Sequence, residues 1–155
     1  MTSKNQLQSK IQELEAELQS FKQQLNTYKE ITIETASVGD VLKDGSIVLQ
    51  KSNGLALLVA PKSTEVKSTW SKEFPEVFEA LKHQGFNHSQ WFVPTKEQLQ
   101  LAYETIPNEF SVANYWSSAE VIATCAFIVS FIFGNSYRFY KSNPCCVRAF
   151  RCVTY

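Results

Sequence analysis

Leu7, Ile11, Leu14, Leu18, Phe21, Leu25 and Tyr28 alternate spacings of four and three residues without a miss, and no other feature of the 155-residue chain narrows its options as far. The pattern assigns them to heptad positions d, a, d, a, d, a, d. The residues between them are polar or charged apart from one Ala, with no Gly or Pro. A stripe this narrow is the seam of a coiled coil, since a helix lying on a globular core carries a broader apolar face. In this register Lys10 at g meets Glu15 at e of a neighbouring chain, and Glu17 at g meets Lys22 at e. Those pairs form only between parallel helices in register, so residues 4–31 are expected to be a parallel coiled-coil oligomerisation helix. A little over three heptads is short for independent stability, and the rest of the chain is expected to associate as well. Phe21 and Tyr28 at d need more room than a two-stranded seam gives, which points to a trimer ahead of a dimer. The competing reading is an amphipathic helix packed on its own domain, which a monomeric mass in solution would establish.

Beyond the coil, residues 32–155 read as one α+β domain. Short runs rich in Val, Ile and Leu near 40–42, 46–50 and 55–60 are separated by Lys43-Asp44-Gly45 and Ser52-Asn53-Gly54, which are hairpin turn signals. They predict a meander of three strands. Trp70, Phe74, Val77, Phe78 and Leu81 then follow helical spacing, with Ser68 or Thr69 as cap and Gly85 as stop. An extended Trp91-Phe92-Val93-Pro94 leads to Thr95, which forms a capping box with Gln98 and opens a second helix that buries Leu99, Ala102, Tyr103 and Ile106 and ends at Pro107. From Asn114 the chain is strand-like. Phe127, Val129, Phe131 and Phe133 share one face and Ile128, Ser130 and Ile132 the other. Gly134-Asn135 turns into a strand through Tyr137 to Lys141, and Asn143-Pro144 into a final strand, Cys146 to Val153, giving an antiparallel arrangement.

Residues 114–153 contain a frame: Tyr115-Trp116-Ser117-Ser118, Glu120, Ala126, Phe127, Val129, Phe131, Gly134, Lys141 and Val147-Arg148-Ala149. Threaded between the frame positions are Val121, Ile122, Ala123, Thr124, Cys125, Ile128, Ser130, Ile132, Phe133, Asn135, Ser136, Tyr137, Arg138, Phe139, Tyr140, Ser142, Asn143, Pro144 and Cys145. Several of these are large and apolar where a solvent face would be expected. A frame with free insertions suggests binding and not catalysis.

With WFVPTKEQLQLAY at 91–103, YWSSAE at 115–120, AFIVSF at 126–131, Gly134, Lys141 and VRAFR at 147–151, the chain resembles C-type-lectin-like domains, and more narrowly the variable proteins of diversity-generating retroelements. The likeness covers residues 38 to 153 and leaves the coil outside. It implies a C-type-lectin-like fold preceded by the parallel coiled-coil helix, with a variable region at 114–153. In that family a reverse transcriptase copies a template while misreading adenines, mostly in Asn codons, and such codons cannot yield Lys, Glu, Gln, Met or Trp. None of the nineteen threaded residues is of those types, although they make up roughly a fifth of average proteins. The likeness further implies that Trp116, Phe127, Val129, Phe131 and Val147 fill the core while the threaded residues stand on one exposed face that binds a macromolecular ligand, a cell-surface protein or a glycan. Phe133, Tyr137, Arg138, Phe139 and Tyr140 are the residue types enriched at interface hot spots. The opposing reading makes them a second core face. A receptor-binding or attachment role on a phage particle is implied, the alternative being an undiversified structural or assembly protein of the same fold that acts through its coil.

Other function classes find little footing. Net charge is zero, so no bulk field drives the chain onto nucleic acid or anionic membrane. Arg138 and Lys141 among aromatics are a thin footprint for a single-strand binder. No window approaches the length of a membrane span, and MTSKNQLQSK lacks the apolar core of a signal peptide, leaving a cytoplasmic location as the other expectation besides the particle. Cys125, Cys145, Cys146 and Cys152 fit no zinc spacing and are expected to be reduced thiols. Calcium-dependent sugar binding would need clustered oxygens, and Pro107-Asn108-Glu109 has the letters of such a triplet in the wrong order. His83 and His88 have no nucleophile or carboxylate arrangement beside them, so no enzyme activity, metal or cofactor is expected.

Overall fold

Ser3 and Gln6 close a reciprocal cap at the first helix. The Gln6 N–H donates to Ser3 Oγ at 3.3 Å and the Ser3 N–H to Gln6 Oε1 at 3.0 Å, so two donors that a helix start leaves unpaired find acceptors. The structure, a computed structural model, describes residues 3–27 and 32–155, without the side chains of residues 25–27 and 88. It divides into two units, Met1–Glu30 and Ile31–Tyr155. In the first, helix α1 spans Lys4–Thr27. Its stripe residues Leu7, Ile11, Leu14, Leu18 and Phe21 are each more than half exposed on the single chain, from 52% to 64%. Tyr28 and the expected end of the coil, 28–31, lie outside the described residues, as does the side chain of Leu25. Among the described residues no helix is long and apolar enough to cross a membrane.

The second unit is α+β. A three-stranded antiparallel sheet has the order β1 (Ile47–Ser52), β2 (Leu55–Val59), β8 (Phe150–Thr154). Asn53 at φ 52° and Gly54 at φ 77° make the two-residue turn between β1 and β2, the left-handed pair that matches the twist of a hairpin. The expected strand at 40–42 is reduced to one bridge, Val41 to Ile47. Gly39 at φ 91° and Gly45 at φ 90° bend the backbone on either side, and the Asp44 carboxylate draws the Ser46 N–H into the turn, leaving no length for a strand.

A five-stranded sheet has the order β3 (Val66–Ser68), β7 (Cys145–Val147), β4 (Asn114–Ile122), β5 (Cys125–Ser130), β6 (Ser136–Tyr140). Two expectations give way here. The single final strand splits into β7 and β8, because Arg148 and Ala149 carry the chain from one sheet to the other: the Ala149 carbonyl accepts from the Ala60 N–H, and Arg148 Nε donates to the Ala60 carbonyl. The set is also not purely antiparallel, since β7 lies parallel to β4 through the pair Tyr115 and Cys146.

Helix α2 runs over Pro75–His83, five residues after the expected start, and Ser68 belongs to β3. The proline explains the shift. Its ring disfavours helical backbone in the residue before it, while its own fixed φ suits the first helical position. Phe74 accordingly sits at φ 43°, with its N–H on Ser71 Oγ at 3.1 Å. The stop is as expected: Gly85 at φ 84° lets its N–H reach the Lys82 carbonyl and the Phe86 N–H reach that of Leu81, a Schellman closure. Helix α3, Lys96–Thr105, opens on the Thr95/Gln98 box, with bonds of 3.1 and 2.9 Å.

The five-stranded sheet is covered on both sides, and β4 supplies both cores by alternation. Tyr115 packs with Leu49, Val59, Leu99, Phe110, Phe131 and Phe150 on the α3 side. Trp116 packs with Phe74, Val77, Leu81, Trp91 and Val147 on the α2 side. Both rings are fully buried.

Candidate ligand-binding surface

The nineteen threaded residues gather around the β4–β5 tip, the β5–β6 turn, the edge strand β6 and the loop after it. Ile122, Ala123, Thr124, Ile132, Phe133, Asn135, Ser136, Tyr137, Arg138, Tyr140, Ser142, Asn143 and Pro144 are exposed, and Val121, Cys125 and Phe139 are half-buried. Outside α1, ten large hydrophobic side chains are exposed among the described residues. Five of them belong to this set: Ile122, Ile132, Phe133, Tyr137 and Tyr140, with Phe133 at 71%.

Ile128, Ser130 and Cys145 are not part of the exposed set. Ile128 is 1% exposed because it pairs with Trp116 across β4 and β5 and points into the α2-side core. Ser130 turns its Oγ inward to accept from the N–H groups of Ile132 and Phe133, both at 3.2 Å, closing the turn that follows β5. Cys145 packs in the same core as Ile128. The remaining residues do not share a single face either. On β6, Phe139 stands opposite Ala126 and packs toward Trp116, while Arg138 stands opposite Phe127 on the other side. The surface therefore wraps round the edge of the sheet, as a two-residue period on an edge strand requires. Phe127, expected in the core, is only half-buried, and its ring is covered by the Lys96 ammonium at 4.4 Å.

Lys141 fixes the tip. Its Nζ donates to the Ala123 carbonyl at 2.9 Å, pairs with Glu120 Oε1 at 3.3 Å and lies 4.5 Å above the Trp70 ring. Its backbone N–H reaches the Thr124 carbonyl at 2.9 Å, and its carbonyl accepts from the Trp70 N–H at 3.0 Å. Trp70 is anchored in turn by its indole N–H on the Ser117 carbonyl at 2.8 Å. Every hold on residues 121–124 in this clamp falls on backbone, so exchanging their side chains leaves it intact. Gly134 adds backbone holds to the next turn, its N–H on the Ser130 carbonyl at 2.8 Å and its carbonyl accepting from Gln100 Nε2 at 2.9 Å. At φ 83° it suits glycine, and a Cβ there would come within 2.6 Å of the Tyr103 ring.

The fold also holds a buried polar network that sequence reasoning missed. Arg148 is fully buried, with Nη1 on the Glu109 carbonyl at 3.0 Å and on Glu65 Oε1 at 3.4 Å, and its guanidinium over the Phe110 ring at 5.0 Å. The Tyr115 hydroxyl donates to Glu65 and accepts from the Ser111 N–H. Arg148 Nη2 is buried without a partner among the described residues. Nothing in the local sequence KSTEVKS marks Glu65 as the counter-ion of a residue 83 positions away.

Burial, and then the Glu65 hydrogen bond, push the Tyr115 phenol well above its ordinary range. Burial, and then neighbouring Cys146, push the Cys145 thiol up to about 11. Both groups are held protonated, so the folded chain keeps protons that the unfolded chain releases. The Cys145 contribution is complete below the ordinary thiol value near 9 and is lost as pH rises through about 11, while that of Tyr115 is lost only at higher pH. Urea midpoints under reducing conditions are expected to fall over that window. About two pKa units correspond to roughly 2–3 kcal/mol for Cys145. Cys145→Ala is expected to flatten the first part of the fall, and a curve identical to that of the parent would show that the thiol carries none of it.

All four cysteines are free thiols, and no cluster of His, Cys, Asp or Glu suited to a metal occurs among the described residues. His83 is exposed at the end of α2. A cleft of about 350 Å³, lined in part by Trp70, Phe78, Trp91, Ser118 and Glu120, shares Trp70 and Glu120 with the Lys141 clamp. Compared with protein-family models and with curated proteins, the chain matches none.

Proposed function

We propose that the chain is a ligand-display protein: a C-type-lectin-like domain with a diversified binding surface, carried on a parallel, trimeric coil and serving in attachment, on a phage particle, to a cell-surface protein or glycan. The observation that carries this reading is the division of labour within residues 114–153. Thirteen threaded residues are exposed, with aromatic and apolar side chains facing solvent, while the frame grips their loops through backbone carbonyls. Such a surface tolerates side-chain replacement and offers the aromatic content of interface hot spots. The likeness to variable proteins of diversity-generating retroelements supplies the source of the replacement. The exposed stripe of α1 supports presentation of several copies together, which raises avidity by orders of magnitude where the copies engage at once.

Deep sequencing of the gene and its neighbourhood in a population of its source tests the reading. Substitutions are expected to concentrate at the nineteen positions, beside a near-copy template with adenines at those codons. Burial adds a constraint: copies are expected to keep Ile128 and Cys145 apolar while Phe133, Arg138 and Tyr140 vary freely. Substitutions scattered evenly along the domain, with no template, would overturn it in favour of the second reading, an undiversified assembly protein that works through its exposed α1 stripe.

A further inference from the structure

The edge strand β6 leaves a row of backbone groups open to a partner. It is the last strand of the five-stranded sheet, paired only with β5. The Lys141 N–H on the Thr124 carbonyl and the Ser130 N–H on the Asn135 carbonyl flank it in the same register as its five pairs with β5. In an antiparallel ladder, hydrogen-bonded and non-bonded pairs alternate. Tyr137 and Phe139 therefore turn their N–H and C=O groups to β5, and Ser136, Arg138 and Tyr140 turn theirs away from the sheet. Of these outward groups only the Tyr140 carbonyl has a backbone partner among the described residues, the Asn143 N–H at 3.0 Å. The side chains of the three residues are exposed.

We propose that β6 is a docking edge to which a partner protein adds an extended segment as a sixth strand, with an acidic side chain facing Arg138. This rests on the display reading and names its ligand class. Strand addition draws affinity from main-chain bonds and specificity from alternate side chains. A diversified edge thereby keeps a constant main-chain grip while its side chains change. Charge selects the occupant. No Asp or Glu follows Glu120 in the sequence, Lys141 is already paired with Glu120, and Arg138 is exposed with no ion-pair partner among the described residues. A second copy of β6, antiparallel and centred on this residue, would set Arg138 against Arg138, and like charges directly opposite are destabilising. A carboxylate on a foreign strand meets no such opposition.

The probes are two blocked peptides, Thr-Val-Glu-Val-Thr and Thr-Val-Lys-Val-Thr, added to the full-length protein while amide exchange is followed by NMR. At about ten times its Kd, the Glu peptide is expected to slow exchange at Ser136 and Arg138 about tenfold, leaving Tyr137 and Phe139 unchanged and the Lys peptide without effect. Ser136→Pro removes one outward donor at the first residue of an edge strand, a place where proline is tolerated. It is expected to weaken the Glu peptide about tenfold, on the scale of one lost hydrogen bond, while Ser136→Ala does not. Arg138→Glu is expected to reverse the peptide preference. No protection up to millimolar peptide, equal protection by both peptides, unchanged binding by Ser136→Pro, or protection on raising protein concentration alone would each overturn the proposal. None of these results alters where substitutions fall in the sequenced population, so the docking edge and the display reading fail separately.

Discussion

Glu65→Ala is expected to destabilise the globular unit by about 3–5 kcal/mol, the range for removing one partner of a buried ion pair. Arg148 has no exposed surface, whereas the Glu65 side chain keeps 14%. Removing the carboxylate strands a buried guanidinium that already carries one nitrogen without a partner among the described residues. Burial already lowers the Arg148 pKa against the opposing pull of Glu65, so losing that partner makes the charged form harder still to hold. Tyr115 loses its acceptor in the same step. Arg148→Met with Glu65→Leu removes both charges, and such paired replacements cost far less than either break. The Ala60 and Glu109 carbonyls still lose their donor, at about 1–3 kcal/mol for a buried group left unpaired. Urea unfolding of Glu65→Leu, Arg148→Met and the double variant gives the coupling directly. A cost below about 1 kcal/mol for Glu65→Ala, the size of a surface pair, would show that the network is hydrated and does not hold the two sheets together.

That network also shows where sequence reading stops. Turn and cap chemistry is local, so Asn53-Gly54, Gly85 and the Thr95/Gln98 box were legible from adjacent residues. The Ser3/Gln6 box was equally legible and was overshadowed by the heptad stripe that follows it. Pro75 carried enough information to correct the α2 start, because its ring constrains Phe74 whatever the spacing of apolar residues implies. The partner of Arg148 is different in kind, since a single Glu among Lys and Ser residues has no periodicity to expose it. The candidate surface was legible as a set and illegible in its shape. A strand period of two assigns Ile128 and Phe127 to opposite faces, and in a sheet packed on both sides neither face is marked as solvent. Which residue is covered depends on α2 and α3. Trp116 and Phe74 pack with Ile128, whereas the Lys96 ammonium lies over the half-buried Phe127 ring.

If α1 is the seam of the proposed coiled coil, Leu14→Asp is expected to convert the protein from oligomer to monomer, and light scattering or sedimentation checks the mass. The side chain is 52% exposed on the single chain, so the substitution leaves that chain's fold unaffected and acts only where copies meet. There it places one charge per helix at a central seam position. Each copy loses a leucine whose full burial is worth about 1.5–3 kcal/mol, and gathers like charges in a dry layer. A coil of little over three heptads has no reserve against that. Charge reversal tests the register separately. Lys10→Glu sets Glu against Glu15 of the neighbouring helix and weakens association, and adding Glu15→Lys restores it only if the helices are parallel. Within one helix Lys10 pairs with Glu13 at 3.5 Å with both side chains largely exposed, and such a pair contributes too little to mask the effect. If the surface binds as proposed, the Leu14→Asp monomer keeps the Kd of a single site and loses about 10²–10⁴ of apparent affinity on a surface carrying many copies of the target. An oligomeric mass unchanged by the substitution would move the association to the globular unit, and a parent that is already monomeric would overturn the coil. An unchanged apparent affinity with a monomeric mass would mean that each site engages alone, and that the coil serves assembly and not avidity.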